Sequence, residues 1–97
     1  MTRVVFLDPA EREMLWAANY YENKADGLGE EFLTEVRRTV TRIQERPKSG
    51  RVIRGRTRRR LLRRFPFGIM YCIEGEDIVV VAIMHLRRRP DYWKERI

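Results

Sequence analysis

The sequence predicts an α+β domain in which a helical hairpin packs on one side of a small, mainly antiparallel sheet, in the order β-α-α-β-β-β. Three observations carry this prediction. Apolar residues recur at helical spacing through the first half, the period changes to strand-like alternation after Thr57, and turn residues fall where elements must end. The 97 residues make one domain covering 1–97. With 43% hydrophobic residues there is material for a modest core, and the regular patterning of the 36% charged residues argues against disorder.

Val4–Leu7 is a short β-rich run. Asp8-Pro9-Ala10-Glu11 then reads as a helix start, with an N-cap aspartate, proline at the first helical position and a glutamate placed to close a capping box. Ala10, Met14, Ala17, Ala18 and Tyr21 share one face until Asn23–Gly29 interrupts the pattern. Trp16 and Tyr20, one turn apart, form a second stripe that reads as a widening of the buried face. The second helix opens near Leu28 or Gly29, with Glu30 and Glu31 in its first turn and Arg42 and Arg46 toward its end, and Pro47 stops it. Its buried stripe is Leu28, Phe32, Val36, Val40 and Ile43, and the short connection makes the two helices antiparallel.

Lys48–Gly55 reads as a basic loop, followed by strands at Arg58–Arg64, Phe67–Glu74 and Ile78–His85. Phe65-Pro66 separates the first two strands, and Gly75 makes a tight turn between the last two. In the middle strand Phe67, Ile69, Tyr71 and Ile73 face one way, and Gly68, Met70, Cys72 and Glu74 the other. Ile78–Met84 is apolar at every position, which predicts a strand covered on both faces.

The chemistry is narrowed by what the chain lacks. Its longest apolar run has seven residues against the roughly 20 of a membrane span, and the N-terminal apolar stretch ending at Leu7 is too short for a signal-peptide core. A cytoplasmic protein without a membrane role is expected. Cys72 stands alone and reads as a small buried hydrophobe, and with one histidine there is no metal cluster; no cofactor is expected. Gly-rich phosphate loops, Ser/His/Asp orders and paired carboxylates are absent.

The net charge of +7 is unevenly placed. Residues 1–50 hold 8 Lys/Arg against 9 Asp/Glu, a net −1, while residues 51–97 hold 13 against 5, a net +8. Arg51, Arg54, Arg56, Arg58, Arg59, Arg60, Arg63 and Arg64 lie in a stretch with no acidic residue. Arginine forks bind phosphate or carboxylate at two points, so nucleic acid or an acidic protein segment is the expected partner class. A charged, solvated edge strand is the other reading.

The chain ends His85-Leu86-Arg87-Arg88-Arg89-Pro90-Asp91-Tyr92-Trp93-Lys94-Glu95-Arg96. This ending, with Tyr20-Tyr21-Glu22, Leu28-Gly29, Phe32, Ile43, Pro47 and Arg64-Phe65-Pro66-Phe67 in order, resembles the toxins of the RelE/ParE superfamily of toxin–antitoxin modules, closer to the ParE branch. The resemblance implies the toxin of a type II, plasmid-stabilisation-like module and a cognate ParD-like antitoxin. The antitoxin would dock an acidic, amphipathic C-terminal segment, for which Trp16, Tyr20, Arg58, Arg60 and Arg63 are suitable contacts. Arg87, Arg88, Tyr92 and Trp93 are the target-binding candidates.

The two branches imply different chemistry. RelE-like members cut messenger RNA on the ribosome without a metal, and such a site here would draw on His85, Arg87, Arg88 and Tyr92. Where that pattern has a middle-strand arginine, this chain has Gly68 or Ile69, so the nuclease set is incomplete. ParE-like members inhibit DNA gyrase by binding, and that activity is expected ahead of the ribosome-dependent nuclease. A plain nucleic-acid-binding module, with the arginines on phosphates, is the remaining alternative.

Overall fold

Two helices lie on one face of a five-stranded mixed sheet in the computed structural model of the protein, which describes residues 2–97. The strands are β1 (Val4–Phe6), β2 (Arg51–Arg54), β3 (Thr57–Leu61), β4 (Phe67–Glu74) and β5 (Asp77–His85), and the helices are α1 (Asp8–Lys24) and α2 (Leu28–Glu45). The spatial order is β1-β5-β4-β3-β2, with β1 parallel to β5 and the other pairs antiparallel.

The expected order thus gains a strand. Arg51–Arg54, read as part of a basic loop, is the edge strand β2. Only Val52 and Ile53 favour extended structure there, and pairing with β3 makes the strand, with a register break between Val52 and Arg54. Conversely, the strand expected over Arg58–Arg64 ends at Leu61. Arg63 N–H leaves the ladder and donates to the buried Glu35 carboxylate at 2.9 Å, and Phe65 turns into the core.

α1 starts without the expected Asp8 cap: Leu7 is the N-cap residue, and no side chain bonds the helix end. Leu7 N–H donates to the Val80 carbonyl at 3.0 Å, as the last bond of the β1–β5 pairing, while its own carbonyl accepts from Glu11 N–H at 3.0 Å. One residue closes the strand and opens the helix, which puts Asp8 inside the first turn. The α2 N-terminus is capped from α1, where the Glu22 carboxylate accepts from Gly27 N–H at 2.9 Å and Gly29 N–H at 3.0 Å. A Cβ on Gly29 would lie 2.4 Å from the Ala18 carbonyl oxygen, so this glycine sets how closely the helices approach.

α1 packs over β5, and α2 reaches toward β3. Ala10, Ala17 and Ala18 of α1 and Phe32, Val36 and Ile43 of α2 bury against Phe67, Ile69, Tyr71, Ile78, Val80 and Ile83. Tyr21 meets Phe65 at 4.8 Å and Phe32 meets Phe67 at 5.1 Å between ring centroids. The Tyr71 hydroxyl donates to the Pro47 carbonyl at 2.6 Å and accepts from Gly50 N–H at 3.0 Å, which ties the turn after α2 to the sheet.

The opposite face carries Met70, Cys72, Val81, Ala82 and Met84, closed over by Trp93 from the C-terminal segment. β4 alternates as its sequence predicts, and β5 is covered on both faces. A bulge in β5 aids this: Met70 pairs with Ala82 but Tyr71 with Val80, so Val81 and Ala82 both join the Trp93 side. Cys72 is buried, with its sulfur 3.3 Å from Thr57 Oγ1.

Candidate functional site

The site grows from a gap in the sheet. β1 stops at Phe6, so β5 beyond Val80 has no neighbouring strand on that side. Side chains fill the vacancy: Glu13 of α1 accepts from Ile83 N–H at 3.1 Å, and Arg96 donates to the Val81 carbonyl at 3.1 Å. The two join each other in a two-point ion pair of 2.9 and 3.0 Å, with only 15% of the Glu13 and 19% of the Arg96 side chain exposed. A carboxylate and a guanidinium thereby supply the acceptor and donors that a strand would offer.

Tyr92 completes this lock. Its hydroxyl donates to Glu13 at 2.6 Å, and its ring centroid lies 3.9 Å from the Arg88 guanidinium and 5.0 Å from that of Arg96. Burial, then the hydrogen bond to Glu13 and its charge, hold the Tyr92 hydroxyl well above the usual phenol range, against the opposing pull of Arg96 and Arg88. The folded protein therefore keeps a proton that the unfolded chain releases near pH 10, and the stability this contributes is present below pH 10 and lost as pH rises above it. Tyr92→Phe should flatten the loss of stability that begins near pH 10 and grows above it, measured by urea unfolding from about pH 9 upward. Tyr21 and Tyr71, also held upward by burial, leave a residual slope. An unchanged pH profile in the variant would contradict this linkage.

Beside the lock, on the helix side of the sheet, opens a cleft of about 690 Å³. Phe67 and Ile83 contribute its apolar wall, and Arg12, Trp16, His85 and Arg88 line it with charge and aromatic surface. His85 stands edge-on to Phe67 at 5.0 Å, and its Nδ1 accepts from Arg87 N–H at 3.0 Å.

Trp16 and Tyr20 do not extend the buried face as their spacing suggested: they are 68% and 44% exposed. The small Ala17 and Ala18 make the packing contact, so the large rings one position away fall outside it. Trp16 stacks on Tyr20 at 5.6 Å and 13°, and Lys24 lies 5.1 Å above the Tyr20 ring. Arg12, Trp16, Tyr20 and Lys24 form an exposed stripe at four-residue spacing that runs out of the cleft.

The structure divides the five docking candidates. Arg58 and Arg60 project on the other side of α2 and are engaged there, Arg58 with the Lys48 and Gly50 carbonyls at 3.0 and 2.8 Å and Arg60 with the Ser49 hydroxyl. Their guanidinium groups are held by the turn after α2. Arg63 remains exposed. The basic run also finds internal counter-charge, with Arg56 on Glu74 and Arg64 on Glu31, each at 2.8 Å.

Trp93 is corrected as a target contact. It is 1% exposed and packs on Met70, Cys72 and Met84, so its ring cannot meet another molecule. Arg87 is exposed in the turn after β5, while Arg88 leans over Tyr92 and lies 3.8 Å from Glu13. The nuclease candidates His85, Arg87, Arg88 and Tyr92 gather beside the cleft, but no middle-strand arginine joins them. His85 shares the helix-facing side with Phe67, Gly68 is buried on the opposite face and Ile69 in the core, and the Tyr92 hydroxyl is committed to Glu13. Sequence reasoning missed Glu13 and Arg96, which lie 83 residues apart, and Arg12, which its four-residue spacing to Trp16 could have revealed.

Among the described residues no group of three His, Cys, Asp or Glu side chains is placed to hold a metal, and no helix is long and apolar enough to cross a membrane. The fold is similar to that of a solved chromosomal ParDE toxin–antitoxin system from P. aeruginosa, with a TM-score of 0.66 and 19% identity over 90% of this chain and 98% of that one. A search of curated proteins finds no match. Residues 4–90 match the family described as the ParE toxin of the type II toxin–antitoxin system parDE. That match spans the strands, the helical hairpin and the arginine turn, and the chain belongs to the ParE toxin family.

Proposed function

We propose that this toxin arrests growth in the cytoplasm by binding DNA gyrase through the arginine turn after β5, and that its cognate antitoxin neutralises it by seating an acidic, amphipathic segment in the cleft beside Trp16. The observation that favours binding over RNA cleavage is that no middle-strand arginine joins His85, Arg87 and Arg88, while the Tyr92 hydroxyl is taken by Glu13. Cleavage needs proton transfer and charge stabilisation to meet at one phosphate. Here Gly68 and Ile69 supply no guanidinium, and Tyr92 is held as a hydrogen-bond donor to Glu13. Arg87 and Arg88 remain at the strand exit to engage a macromolecular target.

The cleft suits the antitoxin segment by shape and charge. Its three arginines, Arg12, Arg88 and Arg96, outnumber the single Glu13 that partly neutralises them, and Trp16, Phe67 and Ile83 offer apolar anchoring. Expression without antitoxin should slow bacterial growth, and co-expression should restore it. Trp16→Ala should weaken toxin–antitoxin binding by roughly 30-fold or more, the scale of an interfacial tryptophan hot spot, as read by titration calorimetry. Full affinity in that variant would remove the cleft as the docking site, and normal growth at verified soluble expression would count against toxicity.

A further inference from the structure

The hairpin β2–β3 carries an arginine pair that neither the lock nor the cleft uses. Arg51 and Arg59 are directly opposed across the two strands, and Arg59 in turn opposes Met70, which places both on the sheet face away from the helices. Like charges in opposed positions repel, and neither residue has an ion-pair partner among the described residues, unlike Arg56 and Arg64 nearby. A further arginine, Arg54, stands exposed at the hairpin end, opposite Thr57.

Gly68 shapes this pair. A Cβ there would lie 3.1 Å from Arg59 Cγ and 3.2 Å from Arg59 Cδ, so the glycine lets the arginine stem lie flat across β4 and sets where its guanidinium emerges. Trp93 and Tyr92 pack on the part of this face nearer β5, Ile53 of β2 is partly buried beside them, and Arg51 and Arg54 are exposed at the β2 edge. The result is an edge ribbon with an unneutralised basic face, on which Arg51 and Arg54 are exposed and Arg59 is half-buried.

We propose that this face binds the phosphate backbone of duplex DNA, with Arg51 and Arg59 as paired phosphate contacts and Arg54 as an outer one. The charge calls for a polyanion, and a two-stranded ribbon has the dimensions to lie along a duplex groove. Single-stranded nucleic acid needs exposed aromatic rings for its bases, and the large aromatics exposed among the described residues, Trp16 and Tyr20, are both on α1 across the sheet. The contacts are to backbone, so the binding is independent of sequence. The inference stands apart from the gyrase and antitoxin readings, since it uses none of their residues.

The test is fluorescence anisotropy of a labelled 20-base-pair duplex titrated with the full-length protein at several salt concentrations. Arg51→Ala/Arg59→Ala should lower affinity at least tenfold near 100 mM salt and flatten the slope of log affinity against log salt by about 2, given ~0.9 per phosphate contact. The charge-matched control Arg37→Ala/Arg38→Ala, on α2, should keep the wild-type slope within about one contact. Should loss of the Arg59 stem unfold the domain, Arg51→Ala/Arg54→Ala changes only exposed side chains and should still flatten the slope. Equal losses in the α2 control, tighter binding to a single strand that Trp16→Ala abolishes, or no measurable duplex binding would each overturn the proposal.

Discussion

Trp93→Ala should destabilise the domain by roughly 3–5 kcal/mol, the range for deleting a large buried aromatic ring. In a domain of this size that lowers the melting temperature by about 15 °C or more and consumes a large part of a total stability of the order of 5–15 kcal/mol. The reason is position: Trp93 covers Met70, Cys72, Val81, Ala82 and Met84, and no other aromatic ring among the described residues is fully buried on that face. Trp93→Phe retains most of the ring and removes an indole N–H that has no hydrogen-bond partner, so it should cost far less than the alanine variant. Thermal unfolding of the two variants separates a core role from a target contact. A folded Trp93→Ala protein with wild-type melting and lost toxicity would restore the binding role.

Glu13→Ala should cost about 2–4 kcal/mol, because one deletion orphans three groups. Ile83 N–H loses its acceptor, Tyr92 its partner, and Arg96 is left as a partly buried charge. The Arg96 side chain is 19% exposed and can turn toward water, which keeps the cost below that of a fully enclosed pair. The Glu13→Ala/Arg96→Ala double variant should lose less than the sum of the singles, with a coupling of roughly 1–3 kcal/mol. Strict additivity in urea unfolding would show that the pair does not act as a unit. Detachment of the C-terminal segment would also expose the β5 edge from Val81 to Ile83, so Glu13→Ala should aggregate more readily.

The parts legible in the sequence are those where local pattern and tertiary environment agree. The alternation in Phe67–Glu74 and the unbroken run Ile78–Met84 each state which faces are covered, and the sheet covers them so. Periodicity alone could not decide which of two neighbouring stripes on α1 faces inward. Ala17 and Ala18 won over Trp16 and Tyr20 because small residues let the helix approach the sheet. β2 was hidden for the opposite reason, since its arginines carry no strand signal and its state is decided by β3. The C-terminal segment mixed roles that composition cannot separate: Trp93 is core, Tyr92 belongs to the lock and Arg87 is free in the turn. Glu13 was invisible because the groups it serves, Ile83, Tyr92 and Arg96, lie 70, 79 and 83 residues along the chain.

The most direct test of the account is to add purified toxin to DNA gyrase in a plasmid supercoiling assay and, in parallel, to ribosomes programmed with messenger RNA. Inhibition of supercoiling, relieved by antitoxin and reduced by Arg87→Ala/Arg88→Ala in a protein that melts like the wild type, is the predicted result, with the messenger left intact. Removing one charge-stabilising donor from an RNA-cleaving site costs about 10²–10³ in rate, so a site without the middle-strand arginine should leave no efficient cutting. Rapid cleavage at the ribosome, abolished by His85→Ala while gyrase remains fully active, would contradict the account.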